Sequence, residues 1–149
     1  MPISFRPYEV KDHAILSQYI FNLYLEDAGG QTMNQKKIDQ TIAALATRPD
    51  LGRFVLFDFL KKTVGYALLI NYWSNEYGGV ICHIDEIYVN KKVRGKGIAT
   101  SFVRYLQQQK DQYVGLELEV MPANNRALQL YHKLGFKPGR NRHLFWQGS

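Results

Sequence analysis

From Asp85 to Thr100 the chain reads DEIYVNKKVRGKGIAT, an apolar strand-like run that passes into a basic, glycine-punctuated turn opening a helix. A helix start presents backbone N–H groups with no intrahelical acceptor, and the aligned peptide dipoles add partial positive charge there. Such a turn is a seat for phosphate. Gly95 and Gly97 let the main chain come close to a ligand, and Arg94 and Lys96 supply mobile positive charge. The plainer role for the same residues is a tight strand-to-helix turn with solvated charges.

The elements that must hold this turn can be read along the chain. Ile3 to Tyr8 alternates apolar and polar with Pro7 late in the run, which predicts a short strand at a sheet edge. Asp12 is placed to cap a helix carrying Ile15, Leu16, Tyr19, Ile20, Leu23 and Tyr24 at helical spacing, stopped by Gly29-Gly30. Asn34 opens a second helix with Ile38, Ile42, Leu45 and Ala46 on one side and Pro49 beyond its end. Arg53 to Phe59 and Thr63 to Trp73 are rich in β-branched and aromatic residues, and Leu60-Lys61-Lys62 between them is long enough only for a hairpin. Val80 to Val89 makes a third long strand whose acids, His83 and apolar residues fail to alternate cleanly, so either both faces are covered or a bulge shifts the phase.

After the glycine turn, Ile98, Phe102, Tyr105 and Leu106 recur as one helical face. Val114, Leu116, Leu118 and Val120 alternate with Gly115, Glu117 and Glu119, so a strand returns through a crossover and lies parallel to the one before it. Asn124 is placed to cap a helix with Ala127, Leu128, Tyr131 and Leu134, closed by Gly135. Phe136 to Lys137 and Arg142 to Trp146 are expected as a final pair of strands around Pro138-Gly139.

With 149 residues, no internal repeat and no dividing linker, residues 1–149 are expected to form a single domain with a core of its own. Cys82 is the only cysteine and lies in an apolar run, which excludes a disulfide framework or cysteine-rich zinc site within one chain and suits a reducing cytoplasm. No run reaches the ~18 to 20 apolar residues of a membrane span, and no basic-then-apolar secretory signal opens the chain, so a cytoplasmic protein without a membrane partner is expected. A net charge of +6 favours acidic ligands without saying which.

Three phosphate-binding patterns compete for the glycine turn. A Walker loop fails, because Asn90 stands where its first glycine belongs and Gly97 follows Gly95-Lys96. A dinucleotide fingerprint has Glu117 or Glu119 at a fitting distance for a ribose. It has Thr100 where a third small residue is needed, however, and antiparallel strands upstream. The third pattern is Arg/Gln-x-x-Gly-x-Gly/Ala, met by Arg94 to Ala99. Here the chain resembles the GNAT family of N-acetyltransferases. Ile87-Tyr88-Val89 looks like that family's apolar strand end, and Asn124-x-x-Ala127-x-x-x-Tyr131-x-x-x-Gly135-Phe136 like its later helix motif. The order of elements is similar over nearly the whole chain. The resemblance implies an α/β fold with a mixed, mostly antiparallel central sheet flanked by helices and a strand-loop-helix pyrophosphate site.

It also implies acetyl-CoA as co-substrate, no metal, and transfer of acetyl to a primary amine, of a small molecule or a peptide, by direct attack in a ternary complex. The backbone of Arg94, Gly95, Lys96, Gly97, Ile98, Ala99 and Thr100 would hold the pyrophosphate. Ile87, Tyr88 and Val89 would meet the thioester through a backbone N–H that a bulge there frees from the ladder, and Asn124 and Arg126 would lie near the pantetheine or nucleotide. Tyr131 matches the family's tyrosine near the cofactor sulfur, where a phenol of pKa ~10 can donate to a thiolate of pKa ~8.5. The ordinary role for Tyr131 is packing, and for Asn124 a helix cap alone.

An alkylammonium of pKa ~10 must lose a proton before attack, which calls for a base. Glu86 is the first choice and Asp85 the second, since neighbours on a regular strand point to opposite faces; His83 is a further base. Tyr24, Glu26, Asp27, Tyr72, Trp73 and Glu76 are nominated for an amine pocket, by charge and cation-π contact. Cys82 has no activating partner beyond His83 and is a poor acyl carrier. Two other readings stand beside this one: a CoA-binding protein without turnover, and a basic nucleic-acid module around Arg140, Arg142, His143 and Trp146 that no recognised motif accompanies. Homodimers are common in such families, and no feature here fixes an interface.

Overall fold

Leu60 and Lys61 take φ values of 51° and 67°. Two successive left-handed residues make the tight turn whose twist matches that of the flanking strands, and here they join β2 (Gly52–Phe59) to β3 (Lys62–Ser74) as the expected hairpin. β4 (Gly79–Val89) adds to β3, and β1 (Ile3–Pro7) adds to the outer side of β2, both antiparallel. Pro7 is the last residue of this edge strand, where its missing N–H costs the sheet least. The computed structural model describes residues 2–27, 30 and 32–148. These fall into two compact units, one ending at Glu119 and the other beginning at Val120.

In the first unit, α3 (Ile98–Gln107) carries the chain from β4 to β5 (Gly115–Leu118), which lies parallel to β4. The sheet order is β1-β2-β3-β4-β5, mixed and mostly antiparallel. On one face, Leu56, Tyr66, Leu68 and Tyr88 pack against Leu16, Tyr19 and Ile20 of α1 (His13–Glu26) and Ile38 of α2 (Gln35–Thr47). On the other face, the Phe57 and Phe102 rings meet at a tilt with centroids 4.7 Å apart, and Phe5 closes on both edge to face. Alternation along β2 sends Leu56 and Phe57 into these two separate cores.

Asn34 caps α2 as expected, its Oδ1 accepting from the Lys37 N–H at 2.9 Å. Asp12 stands immediately before α1, yet its carboxylate does not cap that helix. It is buried and accepts two bonds from the Arg6 guanidinium and one from the Glu9 N–H, each at 2.8 Å. Arg6 also donates to Asp58, so one cation ties β1, the start of α1 and β2 together. Gly29, expected to help end α1, lies outside the described residues; α1 ends at Glu26.

In the second unit, Asn124 caps α4 (Asn125–Lys133) by accepting from the Ala127 N–H at 3.1 Å. Gly135 (φ 94°) ends the helix: its N–H bonds to His132 O, and that of Phe136 to Tyr131 O, both at 3.0 Å. Only a residue tolerant of positive φ closes a helix through this pair of bonds. The final strand pair expected at Phe136 to Lys137 and Arg142 to Trp146 does not form. Strand-prone residues need a ladder partner, and among the described residues the sheet ends at β5, leaving Leu144, Phe145 and Trp146 exposed.

Candidate functional site

The register between β3 and β4 slips once. Leu69 faces Ile84 and Leu68 faces Glu86, so Asp85 is an extra residue with no partner opposite it. This bulge explains the broken alternation of Val80 to Val89. It lies upstream of the Ile87 to Val89 position expected from the resemblance: those three residues pair in order with Ala67, Tyr66 and Gly65. Because directly opposed residues share a face, the slip puts His83 (opposite Ile70), Glu86 (opposite Leu68) and Tyr88 (opposite Tyr66) on the side that carries α1.

There the Glu86 carboxylate is held by two phenols. Tyr66 donates to Oε1 at 2.8 Å, and Tyr24 of α1 donates to Oε2. Burial pushes the Glu86 carboxyl above the usual carboxylate range, the two hydroxyls pull it back, and the charge of Asp85 pushes it up again. Burial, aided by Glu86 itself, keeps both phenols protonated well above neutral pH. Asp85 is exposed.

Beyond Glu86 one edge of β4 opens. β5 pairs with β4 only from Ile81 to Ile84, and among the described residues no strand covers Asp85 to Val89 on that side. The Asn90 N–H bonds back to Val64 O at 2.7 Å, so strand alternation turns the main-chain groups of Ile87 and Val89 toward the open edge. The glycine turn follows. Asn90 Oδ1 accepts from the Lys92 N–H at 3.0 Å to start a short 3-10 turn (Lys91–Val93), and Gly95 and Gly97 then take φ values of 83° and 79°. The first bond of α3 runs from the Ser101 N–H to Gly97 O at 2.9 Å, which leaves the N–H groups of Ile98, Ala99 and Thr100 without an intrahelical acceptor. A Cβ at Gly95 or Gly97 would meet nothing within 4 Å, so the backbone angle, not crowding by protein, is what calls for glycine.

Arg94 is not the mobile cation its sequence position suggested. Its Nε donates to Val89 O at 2.7 Å, its Nη2 to Glu26 at the end of α1 at 2.9 Å, and its guanidinium lies 5.2 Å from the centre of the Tyr88 ring. Glu26, nominated for an amine pocket, thus pairs with the first residue of the loop.

Tyr72 and Trp73 are not gathered with Glu86. Trp73 pairs with Val80, six residues before Glu86 or about 20 Å along an extended strand, and is exposed beside a cavity of about 540 Å³ that Tyr72 and Tyr113 also line. The Tyr72 hydroxyl donates to Glu117 Oε2 at 2.7 Å, and Glu117 Oε1 lies 3.0 Å from His83 Nδ1. His83 Nε2 is 3.5 Å from Asp85 Oδ1. Cys82 is fully buried, which pushes its thiol up to about 11 and makes it a poor nucleophile. Among the described residues no group of three or more His, Cys, Asp or Glu side chains is arranged to hold a metal ion, and no helix is long and apolar enough to cross a membrane.

In the second unit, Tyr131 meets the Phe136 ring edge to face at 5.6 Å, and burial pushes its phenol up. Arg126 is exposed. Sequence reasoning did not find Tyr66, one of two residues that hold Glu86, and saw Glu117 only as a ribose contact. A diagonal cross-strand pair depends on register, and the register depends on the bulge.

Residues 17–136 match the model of the acetyltransferase (GNAT) family. Among solved structures, a possible acetyltransferase from Clostridium difficile 630 is 21% identical, with TM-score 0.85 over 100% of this chain and 99% of that one. An integron cassette protein from the mobile metagenome of Cole Harbour Salt Marsh is 26% identical, with TM-score 0.76 over 97% and 89%. Glucosamine-6-phosphate N-acetyltransferase from Arabidopsis thaliana shares 14% identity, with TM-score 0.69 over 98% and 99%. No curated protein matches the chain at a significant level.

Proposed function

Because the chain belongs to the acetyltransferase (GNAT) family, we propose that it is an acetyl-CoA-dependent enzyme that acetylates a primary amine, of a small molecule or a peptide, by direct attack with both substrates bound. The family match crosses the boundary between the two units, which supports their working as one acyltransferase domain. The observation that carries the reading is Glu86: a half-buried carboxylate of raised pKa, aimed by Tyr24 and Tyr66, on the strand that leads through an open edge into the glycine turn.

The turn fits a pyrophosphate. Two positive-φ glycines bring the main chain round without Cβ atoms, and three N–H groups at the start of α3 await acceptors. Lys96 adds charge, and on the open edge the Ile87 main chain and the Val89 N–H offer partners to the pantetheine arm, the Val89 carbonyl being held by Arg94. Bound acetyl-CoA supplies the activated acetyl group and its thiol leaving group. Glu86 takes the proton that an alkylammonium of pKa ~10 must shed, and a carboxylate whose pKa lies above the usual range is a stronger base for this than an exposed one. Asp85 is the second choice of base. By family resemblance Tyr131 gives its phenolic proton to the departing sulfur; its raised pKa keeps that proton in place at neutral pH. Amine acceptors such as the one named for the Arabidopsis neighbour belong in the first panel tried.

Calorimetric titration with acetyl-CoA and CoA, followed by thiol release with a panel of amines, tests the reading. Micromolar binding and turnover on at least one amine are expected; failure of the folded protein to bind either form of the cofactor overturns it.

A further inference from the structure

The bulge leaves Asp85 without a cross-strand partner, so the ladder does nothing to orient its carboxylate. What meets it is His83. That ring stands between two acids on two strands, with Nδ1 3.0 Å from Glu117 Oε1 on β5 and Nε2 3.5 Å from Asp85 Oδ1 on β4. Glu117 is in turn fixed by the Tyr72 hydroxyl of β3 at 2.7 Å. The side chain of His83 is only 19% exposed, while the two acids that flank it are nearly half exposed. A chain of contacts, Tyr72 to Glu117 to His83 to Asp85, thus crosses all three strands and ends beside Glu86.

We infer that His83 is a positioning residue for Glu86: its ring ties the bulge to β5 and offsets the charge of the carboxylate that adjoins Glu86. This rests on the reading of Glu86 as the base. The titratable groups that face the ring are Asp85 from β4 and Glu117 from β5, the latter held by Tyr72 from β3. Asp85 and then Glu117 favour the protonated ring, and its pKa is accordingly raised above the ordinary value of 6.5. While the ring is cationic, Asp85 acts on Glu86 as half of a neutral pair. When the ring is neutral or absent, the full negative charge of Asp85 bears on Glu86 and drives its pKa further up, so less of the base is ionised at neutral pH. A ring that only packed the strands together would leave the titration of Glu86 where it is.

The test is carboxyl carbon-13 NMR titration of Glu86, with no substrate present, in the wild-type protein, His83→Gln, Glu117→Gln, Asp85→Asn and the double variant His83→Gln/Asp85→Asn. His83→Gln should raise the Glu86 midpoint by about half a pH unit or more. Glu117→Gln should lower the midpoint of His83. Asp85→Asn should lower the Glu86 midpoint and abolish the effect of His83→Gln. An unchanged Glu86 midpoint in folded His83→Gln overturns the inference, as does an equal shift with and without Asp85. Should His83→Gln not fold, His83→Asn takes its place, with the same upward shift of Glu86 required and its absence overturning the inference. The base reading fails separately, if Glu86→Gln releases thiol at the wild-type rate.

Discussion

The Tyr66 hydroxyl donates to Glu86 Oε1 at 2.8 Å across the β3–β4 ladder, although Tyr66 lies opposite Tyr88 and not opposite Glu86. The bond is diagonal, and it favours the ionised carboxylate against the burial that opposes it. Tyr66→Phe should therefore raise the pKa of Glu86. With a net hydrogen bond to a charged group worth about 1.5 kcal/mol, the midpoint should rise by about one pH unit, so the rate on the acid side of it should fall roughly tenfold and recover at higher pH as Glu86 ionises. The acid limb of the kcat/KM profile moving to higher pH is the measurement. Tyr24→Phe should move it the same way, since Tyr24 holds the other oxygen.

Acid stability should hang on Asp12. Its bonds with Arg6, then the one from the Glu9 N–H, hold its carboxyl below the ordinary 3.8 against the effect of burial. A group whose pKa is lowered on folding contributes stability above its unfolded pKa and loses it as pH falls through the folded value. Asp12→Asn should thus cost about 3 kcal/mol at pH ~7, because it leaves Arg6 short of a charge partner in a half-buried site, and progressively less below pH ~3.8. Urea midpoints of the two proteins, compared from neutral to acid pH, should converge at the acid end.

The element types and the motifs were legible because each has a local signature. Asn34 and Asn124 both cap the helices they were expected to cap, and Gly135 ends its helix in the left-handed conformation. Asp12 was legible as a capping type at the right place but not as the partner of Arg6, since a residue of β1 and its acceptors on other elements meet only in three dimensions. The irregularity of Val80 to Val89 announced a bulge without locating it, and its position at Asp85 decides that Glu86 shares a face with Tyr66 and Tyr24. Arg142 to Trp146 has strand composition and no strand, because composition cannot supply a neighbouring edge.

Gly97→Ala tests whether the loop works through its backbone. The added methyl meets no neighbour, so any cost arises from φ 79°, at roughly 1–2 kcal/mol. The melting temperature should drop by several degrees, and CoA binding, measured by calorimetry below that temperature, should weaken more than tenfold as the N–H groups at the start of α3 lose their setting. A variant that melts early but binds CoA with wild-type affinity would remove the loop from the site.

Tyr131→Phe keeps the ring that meets Phe136 and deletes the proton. Maximal rate should fall by tenfold or more while CoA affinity changes less than threefold, because general acid catalysis acts in the transition state and not on binding. Normal turnover at saturating substrate would return Tyr131 to a packing role.

Arg94 offers the sharpest separation between charge and geometry. If its value lay in attracting phosphate, Arg94→Lys would retain most of it. The guanidinium instead makes two directed bonds, to Val89 O at 2.7 Å and to Glu26 at 2.9 Å, while lying over Tyr88. An ammonium has neither the fork nor the flat face to do all three. Arg94→Lys should therefore weaken CoA binding nearly as much as Arg94→Gln, by about fivefold to twentyfold, with little change in the salt dependence of binding. Glu26→Gln should weaken it in the same direction although it removes a negative charge from the loop's surroundings, an outcome that an electrostatic role for Arg94 would reverse. Calorimetry at two ionic strengths on the three variants distinguishes the two accounts.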